Sequence, residues 1–375
     1  MKTIVDLVAG ARPNFMKLAP VVRAIRGTGE LEPRIVHTGQ HYDHSMNEVF
    51  FEELGIPQPD VHLEVGSGSH GAQTARILER YEEYLMKNPP GATVVFGDVN
   101  STVACALAAV KLGVPVVHVE AGLRSFDRTM PEEINRILTD AIAGLLLVSE
   151  PSGVANLSLE GVESEKVRLV GNVMIDTLMH ELILAKKSHI LEQLELARDE
   201  YAIMTMHRPS NVDDPLILRR LLEVIRDLSS KMPIVFPIHP RTSEAAAQAG
   251  VVDLLFKSPG LRCIDPISYR DNLWLMANAR LVLTDSGGMQ EETTFLKVPC
   301  LTLRENTERP ITVEKGTSRL VGNEPERIRD AFEDVLAEKW QKGEAIPLWD
   351  GHASERVAEE ICCLATDPHR RTQTF

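Results

Sequence analysis

No stretch of this 375-residue chain approaches the ~18 unbroken apolar residues that a membrane-spanning helix requires. Its opening, Met1-Lys2-Thr3-Ile4-Val5-Asp6-Leu7-Val8, lacks the apolar core and small-residue cleavage pattern of a secretory leader. The five cysteines (Cys105, Cys263, Cys300, Cys362, Cys363) show neither CxxC pairing nor a companion histidine spacing. That argues against a disulfide framework and a metal site, and an odd, unpatterned count suits a reducing compartment. A cytoplasmic protein without a metal or a membrane anchor is expected. Basic excess is missing too, since the net charge is -14. Nucleic-acid binding depends on clustered Lys and Arg releasing counterions, so a nucleic-acid partner is not expected. A small anion still is, because a few local cations and a helix N-terminus suffice for it. Solenoid-length repeats and low-complexity segments are lacking. So are a Ser-His-Asp order, a nucleophile elbow, a P-loop Lys-Ser/Thr and an HExxH pair.

What is present describes a soluble globular α/β protein. Apolar residues make up 43% and charged residues 25%, enough for a sizeable core. A single core stops growing near roughly 250 residues, so two domains are expected. Short apolar runs alternate with helical periods, the pattern of stacked βα units. Strands are predicted at Thr3–Ala9, Arg34–Thr38, Thr93–Phe96, Val116–Val119, Leu145–Val148 and Val167–Val170. The pattern restarts at Ala202–Met206, Ile234–Pro237, Leu261–Ile264, Leu281–Thr284 and Cys300–Leu303. The fold class is therefore two doubly wound, Rossmann-like parallel-sheet domains facing a central cleft. They are placed at residues 1–170 and 171–351, with a hinge at Gly171-Asn172 and a final helix, about 352–375, packing back on the first domain. In Pro131–Ala143, Ile134, Ile137, Leu138 and Ala141 recur at helical spacing and predict one buried stripe.

Several motifs carry chemistry. Gly66, Gly68 and Gly71 satisfy GxGxxG, but the preceding Val61–Val65 alternates as a half-exposed strand would, and no second strand end follows about 20 residues on. A flexible glycine loop is the better reading. The first strand ends in Gly10-Ala11-Arg12-Pro13-Asn14, with Lys17 one turn into the helix, so Arg12 and Lys17 flank a helix N-terminus that favours an anion. In Thr284-Asp285-Ser286-Gly287-Gly288-Met289-Gln290-Glu291-Glu292, small residues let the backbone close around a phosphate, and an acid a turn later can take ribose hydroxyls. The loop Arg304–Pro310 lies at the same carboxyl end of the sheet, where open α/β sheets bind ligands. Asp98, Glu120 and Glu132 follow neighbouring strands or open a helix, and massed acids raise one another's pKa, which suits proton transfer. His207 and His239 each follow a parallel strand; they are either loop residues or cleft ligands.

The string His118-Val119-Glu120-Ala121-Gly122-Leu123-Arg124, with Pro131-Glu132-Glu133, Asn135-Arg136, Gly97-Asp98, Asp285-Ser286-Gly287-Gly288 and Thr307-Glu308-Arg309-Pro310, resembles the non-hydrolysing UDP-N-acetylglucosamine 2-epimerases. The match runs in order from Ile4 to about Gly322. The resemblance implies a GT-B-like fold, a homodimer, and interconversion of UDP-GlcNAc and UDP-ManNAc by elimination of UDP to 2-acetamidoglucal and re-addition, with no cofactor. It assigns Asp98, Glu120 and Glu132 to the catalytic acids and His207 to the catalytic histidine. Arg12, Lys17, Ser286, Gly287, Gly288, Glu292 and Arg309 correspond to UDP contacts, with His239 at the cleft. Where an aromatic is expected near the uracil, Asn272 stands, leaving Tyr269 as the nearest ring. Gln40 and His41 match half of a regulatory subsite whose other half reads Ser67-Gly68, so substrate activation is expected to be weak or absent. The same inversion on UDP-2,3-diacetamido-glucuronic acid is the alternative, because Arg124 and Arg128 offer cations to a carboxylate. A GT-B glycosyltransferase or a nucleotide-sugar binding protein also fits the fold, but needs no set of three acids.

Overall fold

The computed structural model describes residues 2–39, 51 and 53–366. They form two compact units, Met1–Thr177 with Pro347–Phe375, and Leu178–Ile346. The first contains β1 (Thr3–Ala9), β2 (Leu31–His37), β3 (Val61–His62), β4 (Ala92–Phe96), β5 (Val116–Ala121), β6 (Leu145–Val148) and β7 (Val167–Leu169). Their order is β3-β2-β1-β4-β5-β6-β7, parallel throughout. The second contains β8 (Ala202–Thr205), β9 (Ile234–Pro237), β10 (Leu261–Ile264), β11 (Leu281–Thr284), β12 (Cys300–Thr302) and β13 (Ser318–Leu320) in the order β10-β9-β8-β11-β12-β13, again parallel. Both units are thus doubly wound α/β sheets.

The central strands are largely apolar because helices cover both faces, with Asp6 on β1 and His118 and Glu120 on β5 as buried exceptions. Every residue of β4 and of β6 is buried. The strand not predicted, β13, has three residues, too few to show a period, while β3 takes up the first two residues of the half-exposed run Val61–Val65. The glycine-rich segment after β3 follows the edge of the sheet, not its centre.

Each sheet has one point where the winding reverses. In the first unit β1 is flanked by β2 and β4; in the second β8 is flanked by β9 and β11. Loops leaving the carboxyl ends of such strands diverge and open a crevice. The loops after β1, β4, β8 and β11 carry Arg12, Asp98, His207 and Ser286.

The helix Pro131–Ile142 corrects one sequence expectation. Its buried residues are Glu133, Asn135, Arg136, Thr139 and Asp140, while Ile134 and Leu138 are 39% and 49% exposed. Periodicity locates two faces of a helix but not which one points inward, and here the polar face is spent on hydrogen bonds inside the unit. The helix Ala353–Thr366 belongs to the first unit and packs on the helix Arg12–Thr28. Asp176 caps it, accepting from Ala353 N (3.2 Å) and Ser354 N (2.6 Å). Among the described residues no helix is long and apolar enough to cross a membrane, and no group of three or more His, Cys, Asp or Glu is arranged to hold a metal.

Candidate active site

In the first unit the crevice is framed by the loops after β1 and β4. Asn14, in the first turn of the helix Arg12–Thr28, accepts from Gly10 N (3.1 Å) and Ala11 N (3.2 Å) and donates through Nδ2 to the Phe96 carbonyl (2.9 Å). One amide therefore braces the helix entry and ties it to the end of β4, where Gly97 and Asp98 follow.

Asp98 does not cap the helix behind it; that helix begins at Asn100 with Val99 as N-cap. Its carboxylate instead pairs with Arg136 Nη1, and its carbonyl accepts from Asn135 Nδ2 at 2.8 Å. Arg136 also reaches Glu133 (2.7 Å), a buried carboxylate that takes the backbone N–H groups of Ser125 and Phe126, both at 2.9 Å. Burial alone would raise Glu133, but those N–H groups and Arg136 hold it below the usual carboxylate range.

Glu120 occupies a strained position. Its φ is 72°, and the register between β5 and β6 shifts between Val119 and Ala121. A bulge re-aims a side chain, and a left-handed non-glycine residue costs about 1–3 kcal/mol, which the surrounding structure has to offset. The re-aimed carboxylate pairs with Lys17 Nζ, both side chains being 7% exposed. Gly97 makes room for that pair: a Cβ there would lie 2.7 Å from Lys17 Nζ and 3.2 Å from Glu120 Oε2. Asp98 and Glu120 therefore lie at adjoining turns. Glu132 is half-buried in the first turn of the helix that carries Arg136, and makes no hydrogen bond or ion pair among the described residues. Asp98 and Glu120 each carry their own cation. Arg12 opens its helix, and Gln40 and His41 lie outside the described residues.

The second unit holds the histidines and the glycine turn. Asp285, fully buried, receives the backbone N–H of His207 (2.9 Å) and Arg208 (2.8 Å) and Asn211 Nδ2 (3.1 Å) on one oxygen. Its other oxygen lies 3.2 Å from Nδ1 of His207, whose side chain is 43% exposed. Burial works to raise Asp285, but His207 and the two backbone donors hold it down. The His239 ring lies 5.6 Å from that of His207, and its Nδ1 accepts from Arg241 N at 3.2 Å.

Ser286 is the N-cap of the helix Gly287–Leu296, and Gly288 sits in its first turn. Against that terminus stand Arg208, Arg304 and Arg309, gathered on the buried Glu308. Arg304 contacts it at 2.7 Å, Arg208 at 3.9 Å, and Arg309 Nη1 is also bonded to it. Arg309 Nε reaches Glu291 at 2.8 Å as well. Three guanidiniums facing Glu308 and Glu291 leave positive charge beside a helix N-terminus, which favours a polyanion. Burial would raise Glu308; Arg309 and Arg304 hold it well below its ordinary range instead. Glu292 accepts a 2.7 Å bond from the Tyr269 hydroxyl, with both residues buried. Tyr269 therefore braces the acid expected to take ribose hydroxyls.

Sequence reasoning gave no role to Arg136, Glu133, Asp285 or Glu308, although each lay in a motif string. Their signal was a charge flanking an expected site residue; their partners are remote in sequence.

The chain was compared with known proteins. The profile of the UDP-N-acetylglucosamine 2-epimerase family matches residues 23–362. The UDP-N-acetylglucosamine 2-epimerase of Methanocaldococcus jannaschii is 42% identical, covering 94% of this chain and 97% of that protein. A UDP-2,3-diacetamido-2,3-dideoxy-D-glucuronate 2-epimerase of Pseudomonas aeruginosa is 40% identical, covering 95% and 99%. A crystal structure of the M. jannaschii enzyme in complex with UDP-GlcNAc and UDP superposes with a TM-score of 0.89 at 41% identity, covering 96% of this chain and 99% of that one. Both Rossmann-like parallel sheets are shared over that length, which is the GT-B-like fold class. On fold, motif order and extent of match together, this chain belongs to the UDP-N-acetylglucosamine 2-epimerase family.

Proposed function

We propose that the protein interconverts UDP-GlcNAc and UDP-ManNAc by inverting C2 of the sugar. The observation that carries this reading is the pair of carboxylates, Asp98 and Glu120, held at adjoining turns by Arg136 and Lys17. The C2–H bond is too weakly acidic to break unaided. A carboxylate takes the proton while the C1–O bond cleaves and its electron pair leaves with the diphosphate, giving UDP and 2-acetamidoglucal. Re-addition forms the C1–O bond again and returns a proton to the opposite face of C2. Asp98, Glu120 and Glu132 move protons. His207, oriented by Asp285, braces or protonates the departing phosphate. Arg12, Lys17, Ser286, Gly287, Gly288 and Arg309 hold the UDP anion. Glu292 takes the ribose, and Tyr269 and His239 line the nucleotide's surroundings.

The test is proton NMR of UDP-GlcNAc with the enzyme in heavy water. The new epimer is expected to carry deuterium at C2. An epimer that keeps its protium refutes the elimination route, and no epimer from either UDP-GlcNAc or the diacetamido acid refutes the activity.

A second reading, the same inversion on UDP-2,3-diacetamido-2,3-dideoxy-glucuronate, is favoured by the P. aeruginosa relative. Arg124 lends it no support: it is buried and paired with Asp140 and Glu160, both at 2.7 Å, which leaves Arg128 as the exposed cation of that loop. Comparing turnover of the two sugars separates the readings. The proposal includes a homodimer, supported by the outward apolar residues Ile134 and Leu138. Light scattering of Leu138→Lys is expected to report a monomer, and an unchanged mass would place the interface elsewhere. The free cysteines support a reducing compartment, the cytoplasm.

A further inference from the structure

His118 lies on β5 two residues before Glu120 and is fully buried. Its Nε2 is 2.8 Å from the Gly97 carbonyl oxygen and its Nδ1 is 2.6 Å from Asp140 Oδ1. A carbonyl oxygen only accepts, so Nε2 carries a hydrogen and donates. The other Asp140 oxygen accepts from Gly122 N at 3.0 Å and pairs with Arg124 at 2.7 Å. These contacts join the three segments that carry the acids. Gly97 precedes Asp98 in the turn after β4, Gly122 follows Glu120 by two residues, and Asp140 belongs to the helix whose second residue is Glu132.

A buried polar cluster is a costly way to stabilise a core, because apolar residues of equal volume serve as well or better. What a fully satisfied cluster adds is a single geometry. Gly97 is clamped on both sides: its N–H donates to the Val119 carbonyl at 3.0 Å, and its carbonyl receives His118. Any tilt of that peptide moves Asp98 relative to the Lys17–Glu120 pair packed against the Gly97 α-carbon.

We propose that His118 is a positioning residue, which donates to the Gly97 carbonyl while anchored on Asp140 and so sets the placement of Asp98 against Glu120. Its effect on turnover rests on the epimerase reading; its effect on the Gly97 peptide does not.

Two substitutions divide the contacts. His118→Gln puts an amide N–H near the Nε2 position and keeps a donor for Gly97. His118→Asn puts one near Nδ1, toward Asp140 alone. Misplacing a catalytic group by about 1 Å can cost about 10²-fold. His118→Asn is therefore expected to lose about 10²-fold in kcat, with KM and the Kd for UDP within about twofold, and His118→Gln to recover kcat to within about tenfold of wild type. Hydrogen exchange by mass spectrometry on peptides spanning residues 97–102 is expected to quicken in His118→Asn and not in His118→Gln. Equal loss of kcat in both variants, or wild-type turnover in His118→Asn, overturns the proposal. If the wild-type enzyme inverts neither sugar, the function above fails and the exchange comparison alone decides the role of His118; unchanged exchange in His118→Asn overturns it. Should His118→Asn not fold, Asp140→Asn, which removes the anchor and leaves the histidine, is read by the same two measurements.

Discussion

Lys17 sits on the Glu120 carboxylate with both side chains 7% exposed. The lysine comes from the helix after β1 and the glutamate from the end of β5, with β4 between them in the sheet. The pair therefore spans the point where the winding reverses, and it holds one candidate base beside one candidate phosphate ligand before any substrate arrives.

Removing one member of a buried ion pair is costly because the other charge stays behind. Lys17→Met is expected to destabilise the protein by about 3 kcal/mol. Lys17→Met with Glu120→Gln should recover most of that loss, giving a coupling above about 1 kcal/mol in a double-mutant cycle read by urea unfolding. Additive losses would mean the two groups do not depend on each other.

Asp98→Asn keeps the shape of the side chain and removes its charge. Turnover is expected to fall by about 10²-fold or more. UDP binding, measured by calorimetry, should stay within about twofold, because the arginines gathered on Glu308 are untouched. Loss of UDP affinity to the same degree as turnover would assign Asp98 a structural role through Arg136.

Gly287 tests the anion cradle. A Cβ there would lie 2.7 Å from both Arg309 Nη1 and Glu308 Oε1, so Gly287→Ala has to displace the guanidinium or its partner. A charge-assisted bidentate contact is strongly geometry-dependent. UDP affinity should drop by about tenfold while the N-terminal unit unfolds as in wild type. An unchanged Kd would remove Arg309 from the phosphate contacts.

The acid limb of stability should depend on Glu308. Its folded pKa is depressed by Arg309 and Arg304, so it contributes stability that is present above its unfolded value, about 4.3, and lost as pH falls through the folded value. Thermal unfolding from pH 7 down to pH 3 should show Glu308→Gln less stable than wild type at neutral pH, with the difference narrowing below about pH 4.3. A gap that is constant with pH would show that the carboxylate's ionisation is not what stabilises the loop.

Much of the architecture was legible in the sequence for a simple reason. Helices cover both faces of a parallel sheet, so runs such as Leu145–Val148 and Leu281–Leu283 are apolar, and they lie in strands over the predicted residues. The strand ends were legible with them, which is why the candidate residues Asp98, Glu120, His207 and Ser286 could be named. A short edge strand such as Ser318–Leu320 carries too few residues for a pattern.

The chain's residue order thus determined the two wound sheets, the strand ends from which the candidate site residues project, and the family. The tertiary structure decided which charge meets which: Asp98 with Arg136 across 38 residues, Glu120 with Lys17 across 103, and His207 with Asp285 just past the ends of neighbouring strands. It also turned the helix Pro131–Ile142 polar side inward, against the reading of its apolar stripe. Periodicity and strand polarity are local and survive in one dimension. Ion pairing and the inward choice of a helix face depend on what lies within a few ångströms in space, and sequence separation does not record that.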